Sequence, residues 1–174
     1  MKLDLKHILN FNGKNSIEVI SKLKKLGLFN NFSIQELQEL AKIIYIRQFK
    51  KNEIIFQENR PGLGMYFIYR GTVKIVKESN SNGYDQSAVL GQGDIVGQDC
   101  LFSESPRKTT AIALDDCCLL GIFRPDLLDL LFRKPRFGNK LLLKLGEAVS
   151  SSLSQKNDEI LRIRDTLSRS NIIR

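Results

Sequence analysis

The sequence predicts an α+β fold, an antiparallel β-sandwich or barrel flanked by helices and followed by one long helix. Two observations carry this. Between Tyr45 and Ile122 the chain breaks into short β-branched and aromatic runs separated by turn residues, the texture of small sandwiches and barrels. On either side of that region apolar residues recur every three or four positions, which is the helical period.

The elements follow in order. Ile17, Val19, Ile20, Leu23 and Leu26 lie among Lys22, Lys24 and Lys25, so residues 16–26 form an amphipathic helix. Ser33-Ile34-Gln35-Glu36 is a capping-box signature, and Leu37, Leu40, Ala41 and Ile44 line one face of the helix it opens. Strands are expected at 45–49, 53–57, 65–70, 71–77, 85–90, 109–114 and 117–122. The turns between them are Gly62-Leu63-Gly64, Asn80-Ser81-Asn82-Gly83 and Gly91-Gln92-Gly93-Asp94. Pro125 suits the first turn of a short helix over 125–133 that contains Leu127, Leu128, Leu130, Leu131 and Phe132. Pro135 opens the long helix. Leu142, Leu145, Val149, Leu153, Ile160, Ile163 and Leu167 form its apolar seam, interrupted by Ser150, Ser151, Ser152, Gln155 and Lys156. Such a seam predicts a parallel homodimer through this helix. The alternative is that it folds back on its own β-structure.

Composition narrows the class. With 42% apolar and 26% charged residues, the chain has enough to build a core and is not a disordered one. No run is long and apolar enough for a membrane span, and Met1–His7 is too polar for a secretory leader, so a cytoplasmic location and no membrane partner are expected. Cys100, Cys117 and Cys118 are odd in number, and two are strand neighbours that point to opposite faces; reduced, buried thiols are expected. The net charge of +8 sits in the ends: residues 1–32 hold six Lys against two acids, and residues 133–174 hold ten Lys or Arg against four. Solvated helix faces explain this, and nucleic acid is the alternative partner. An enzyme is not expected. His7 is the only histidine, so neither a metal cluster nor a Ser/His/Asp or Cys/His constellation can be assembled.

The stretch Val96–Thr110 is the richest in chemistry. Gly97 offers a tight turn, Gln98-Asp99-Cys100-Leu101 a short helical turn, and Pro106-Arg107 leads Lys108, Thr109 and Thr110 into a β-branched run. A glycine turn opening a helix presents N–H groups to an anion, and the planar fork of Arg107 suits phosphate oxygens. The stretch resembles the phosphate-binding cassette of the cyclic-nucleotide-binding domain family, at the length found in protein-kinase regulatory subunits. The family pattern is F-G-E-(any)-A-L followed by P-R-(any)-A-(T/S). Gly97, Leu101, Pro106, Arg107 and Thr110 match it, whereas Val96, Gln98, Cys100 and Thr109 depart from it. The resemblance extends over roughly residues 28–165, through Leu28–Ser33, Phe49–Glu58, Met65–Val73 and Gly91–Asp94 in the family's order.

The resemblance implies a double-stranded, jelly-roll-like β-roll and a division into a basic helical segment (1–27), a ligand-binding β-roll (28–133) and a long helix with its tail (134–174). It implies a cyclic nucleotide as ligand, with cAMP favoured over cGMP because Lys108 stands where cGMP-preferring relatives often carry Thr. Arg107 is then the phosphate ligand, helped by N–H groups near Cys100 and Lys108; the alternative is a surface Arg paired with Glu104. Gln98 occupies the position of the ribose-binding Glu, and its amide oxygen can still accept from the 2′-hydroxyl. The cAMP-activated exchange factors also carry Gln there. Aligned with the bacterial catabolite activator proteins, Ser152 falls where those proteins carry a Thr that touches adenine. About ten residues follow Ile163, too few for the helix-turn-helix of those relatives, so the expected output is to an effector protein. A ligand-free dimerisation or docking module of the same fold is the alternative.

Overall fold

The structure is a computed structural model that describes residues 15–79 and 83–171; His7 and the Asn80–Asn82 part of the second expected turn lie outside the described residues, as does the side chain of Leu167. Two helices open it, α1 (Asn15–Lys25) and α2 (Ile34–Ala41). The predicted capping box is present. The Ser33 amide donates to the Glu36 carboxylate at 2.7 Å, and the Glu36 amide donates to Ser33 Oγ at 3.2 Å. The Lys140 ammonium and the Ser33 amide hold the Glu36 carboxyl below its usual range.

Eight strands follow in two four-stranded antiparallel sheets. They are β1 (Ile44–Phe49), β2 (Ile54–Phe56), β3 (Gly64–Arg70), β4 (Val73–Ser79), β5 (Gly83–Leu90), β6 (Ile95–Val96), β7 (Thr110–Ala113) and β8 (Cys117–Phe123). One sheet runs β1-β8-β3-β6 and the other β2-β7-β4-β5. The short helix α3 (Asp99–Phe102) lies between β6 and β7, and α4 (Arg124–Arg133) and α5 (Pro135–Asn171) close the fold. The jelly-roll-like β-roll flanked by helices is therefore what the chain adopts. β6 was not among the expected strands, since a two-residue strand cannot display a period of two. It pairs with β3 through Tyr66–Val96 and Phe67–Ile95, and so sets the height at which Gly97 leaves the sheet.

The first sheet is buried on both faces. In β3, Met65 and Phe67 point to the helices while Tyr66 and Ile68 point to the second sheet; in β8, Leu120 and Ile122 oppose Cys117 and Leu119 in the same way. Double burial explains why these strands read as unbroken apolar runs rather than alternating ones. The outer layer joins Val19 and Leu23 of α1, Phe29 and Phe32, Leu37 and Leu40 of α2, Leu127 and Leu130 of α4, and Leu141 and Leu145 of α5. Phe29 meets Phe32 and Phe67 edge-on, each with ring centroids 5.5 Å apart.

The long helix changes character along its length. Leu141 and Leu145 are fully buried, and Lys140 donates to both Glu36 carboxylate oxygens and stands 4.7 Å from the Phe32 ring. Leu153, Ile160 and Ile163 are each more than half exposed. The inner half of α5 thus folds back on the β-roll, and the apolar residues of the outer half face outward. Truncating Leu145 to Ala should cost about 2–5 kcal/mol, whereas Leu143→Ala, on the exposed side, should cost under about 0.5 kcal/mol. Urea unfolding of the two variants measures the difference.

Candidate functional site

Arg107 is 5% exposed, although it is a permanent cation. The loop before it holds its backbone: Arg107 N–H donates to the Arg60 carbonyl and Asn59 N–H donates to the Arg107 carbonyl, both at 2.8 Å, beside a Pro61–Pro106 bridge. Thr110, wholly buried three residues on, accepts from the Glu58 amide through its hydroxyl at 2.9 Å. A small hydroxyl residue at 110 is therefore a structural requirement of this loop.

The guanidinium reaches back across the cassette. Nη1 donates to the Gly97 carbonyl at 2.9 Å, Nη2 donates to the Gly64 carbonyl at 2.7 Å, and the group lies 4.1 Å from the centre of the Phe56 ring. Nε is buried with no partner, and among the described residues no carboxylate pairs with this arginine. The alternative pairing with Glu104 does not form; Glu104 lies 3.6 Å from Arg124 instead. Removing a guanidinium from water costs several kcal/mol, and carbonyls and a ring face offset this only in part. The orphaned Nε adds about 1–3 kcal/mol. An anion beside Nε would compensate the remainder.

Gly97 permits that reach. Its φ is +75°, and a Cβ on it would collide with Arg107 Nη1. Gly62 serves the neighbouring contact, because a Cβ there would collide with the buried Cys100 side chain, whose thiol donates to the Ser105 carbonyl at 3.4 Å. The cassette turn is tight enough that the Cys100 amide donates to the Gly97 carbonyl at 3.3 Å, and the Leu101 amide to the Gln98 carbonyl at 3.1 Å. The Cys100 N–H expected to face an anion therefore closes this turn. Leu101 belongs to the core under the cassette.

A cleft of about 280 Å³ opens here. Gly97, Gln98, Asp99, Arg107, Lys108 and Thr109 line its cassette side, and Ile75, Leu90, Ile95 and Val96 form apolar walls. Six of the ten expected site residues thus share one cleft. Cys100 and Leu101 sit beneath it, and Pro106 lines a separate groove with Pro61, Leu63 and Leu128. Ser152 is apart, in an adjoining cleft of about 240 Å³ with Leu26, Phe67, Asp94 and Gln155. One helical turn later, Lys156 lines the cassette cleft itself. Sequence reasoning missed Lys156, Phe56 and the Gly64 carbonyl. The spacing of four from Ser152 was the available signal for Lys156; nothing in the sequence marks a carbonyl 43 residues away from Arg107.

Burial, above all, raises the Tyr66 hydroxyl, against the pull of Arg47 and Arg107. Cys117 and Cys118 are buried free thiols that point to opposite faces, Cys117 to the Thr72 carbonyl and Cys118 to Gln48, and burial pushes both up, away from the reactive thiolate. No helix among the described residues is long and apolar enough to cross a membrane.

The Cyclic AMP receptor protein of Thermus thermophilus is 27% identical over 119 residues, which cover 68% of this chain and 55% of that protein. The chain thus spans about half the length of that relative. A cyclic nucleotide-binding domain from Methylobacillus flagellatus superposes with a TM-score of 0.73 at 26% identity, covering 86% of this chain and 84% of that one. A cAMP-bound PfPKA-R (141-441) superposes at 0.54 with 25% identity, over 73% of this chain and 46% of that one. The cyclic nucleotide-binding domain model matches residues 46–134, from β1 through the cassette to the end of α4, and the chain belongs to that family.

Proposed function

We propose that this protein is a cyclic-nucleotide sensor that binds cAMP in the cassette cleft and passes the event through α4 and α5 to a protein partner. The observation that carries the reading is Arg107, a buried cation with an unpartnered Nε and no carboxylate, lining an apolar-walled cleft of nucleotide size. A cyclic phosphate supplies the missing anion, and the aliphatic walls suit a purine. Gln98 accepts the ribose 2′-hydroxyl through its amide oxygen. Lys108 in place of Thr favours cAMP over cGMP, as do a receptor of cyclic AMP and a cAMP-bound neighbour among the relatives. The chemistry is binding rather than turnover, in keeping with a family whose domains are regulatory. Free, buried thiols suit a reducing cytoplasm.

The route outward starts at the cassette. The Arg124 guanidinium, at the start of α4, donates to the Leu101 carbonyl at 3.1 Å, and the Arg124 amide donates to the Leu63 carbonyl at 2.7 Å. A cassette drawn toward bound phosphate pulls on α4, and α4 packs on α5. The shift is bounded by the ligand's differential affinity for the two arrangements.

One observation favours a second reading, a docking module of the same fold that binds no nucleotide. Two of the three guanidinium nitrogens of Arg107 are already bonded to carbonyls. Calorimetry separates the readings. Wild type should bind cAMP, and Arg107→Ala should lose about 2–5 kcal/mol, with Arg107→Lys intermediate and circular dichroism checking that both variants fold. Binding by Arg107→Ala within twofold of wild type rejects the role of Arg107.

Gln98 has its own test. Gln98→Leu should lose about 1–3 kcal/mol for cAMP, and 2′-deoxy-cAMP should lose a similar amount on wild type. Equal affinity of wild type for the two ligands removes the ribose contact.

The outer half of α5 is expected to pair with that of a second copy. Leu153, Ile160 and Ile163 are exposed there, and burying two such stripes at roughly 25 cal/mol per Å² offsets the entropy of association. Sedimentation equilibrium should find a dimer, and Val149→Lys with Leu153→Lys should dissociate it. A monomer at tens of micromolar with and without cAMP overturns the pairing. The basic ends invite a parallel check: duplex DNA should produce no salt-dependent mobility shift.

A further inference from the structure

The cassette cleft is completed by α5, and the side chain that α5 contributes is Lys156. Three cations, Arg107, Lys108 and Lys156, therefore line a space to which, among the described residues, Asp99 adds a carboxylate. Arg107 carries five N–H donors, of which one on Nη1 and one on Nη2 hold the Gly97 and Gly64 carbonyls while that of Nε has no partner. A phosphate has more acceptor lone pairs than one edge of a guanidinium fills, and so takes further donors from elsewhere. Lysine is suited to give them, with three N–H groups on a flexible stem that leaves an exposed helix position free to reach inward.

The position of Lys156 on α5 adds a consequence. It lies beyond Leu145, the last fully buried residue of the helix among those described, and its described neighbours are mostly exposed. A contact made at 156 therefore acts on a part of the helix that its own packing holds weakly. Lys156 shares the cleft with Arg107 and Lys108, and an anion bound among them would attract all three.

We propose that Lys156 is a ligand-contact residue whose ammonium pairs with the phosphate of the bound nucleotide and so ties the outer half of α5 to the cassette. The inference rests on the cyclic-nucleotide reading and adds to it a phosphate donor from outside the cassette. Because the phosphate is common to both nucleotides, cAMP and cGMP should feel the contact equally.

The test is titration of wild type, Lys156→Gln, Lys156→Glu and Lys156→Arg with cAMP and cGMP at several salt concentrations. Lys156 is exposed, so all four proteins should fold alike. Lys156→Gln should bind both nucleotides about three- to tenfold more weakly, the range of one modest hydrogen-bonded ion contact. Its affinity should also fall less steeply with salt. Lys156→Glu should be weaker still, and Lys156→Arg should restore most of the loss. Amide exchange gives a second readout: cAMP should protect residues 150–166 in wild type and not in Lys156→Gln, while protection of the cassette persists in both. If wild type binds neither nucleotide, the reading of the site fails and this inference with it. If wild type binds and Lys156→Gln matches it in affinity, salt dependence and α5 protection, the inference alone is overturned. A loss confined to one nucleotide assigns Lys156 to the base and also overturns the phosphate contact.

Discussion

A buried guanidinium without a carboxylate is the constraint around which this protein is arranged. Arg107 ties three distant parts of the chain together: the turn at Gly97, the first residue of β3 at Gly64, and the ring of Phe56. None of these is an anion. The folded protein thus carries the desolvation cost of a cation that is only partly compensated, and lowering it requires something from outside. Gly97 and Gly62 are glycines for the same reason, since a Cβ at either would push out the Arg107 or Cys100 side chain. The cassette thus presents a buried, partly compensated cation at the edge of the cleft.

The scaffold makes that requirement mechanically consequential. The first sheet is covered on both faces, by the second sheet and by the helical layer, so it has little freedom to deform. The helices have more. α4 is bonded to the cassette side through Arg124, and α5 is pinned most firmly over its first three turns, by Leu141, Leu145 and the Lys140–Glu36 pair. A change at the cassette is thus more easily taken up by α4 and the outer part of α5 than by the strands. The proposed signalling route follows the softest direction of the structure, and the proposed Lys156 contact closes it into a loop from cleft to helix and back.

Much of the site was legible because it is contiguous. Gly97, Gln98, Asp99, Arg107, Lys108 and Thr109 lie within thirteen positions and line one cleft, so a single stretch that resembles a family pattern takes in all six. Ser152 and Lys156 show the limit of that reasoning. A gap-free helical alignment fixes a residue's face to within one turn. That error is enough to put Ser152 in the adjoining cleft and Lys156 in the cassette cleft. Equally, the seam of α5 reads as one continuous stripe, yet the fold buries its inner half and leaves its outer half exposed.

By itself the sequence determined the element order, the capping box of α2, the unbroken apolar runs of the doubly covered strands and the cassette register. Each of these rests on interactions between residues close in the chain, or on a periodicity that any buried face imposes. Only the tertiary structure decided that Arg107 is buried rather than paired with Glu104, that the two-residue strand β6 exists, and that Gly64 and Phe56 complete the arginine's surroundings. It also decided which residue of α5 reaches the cleft. These outcomes depend on partners distant in the chain, 43 residues in the case of Arg107 and Gly64, joined by backbone carbonyls and ring faces that carry no sequence signature.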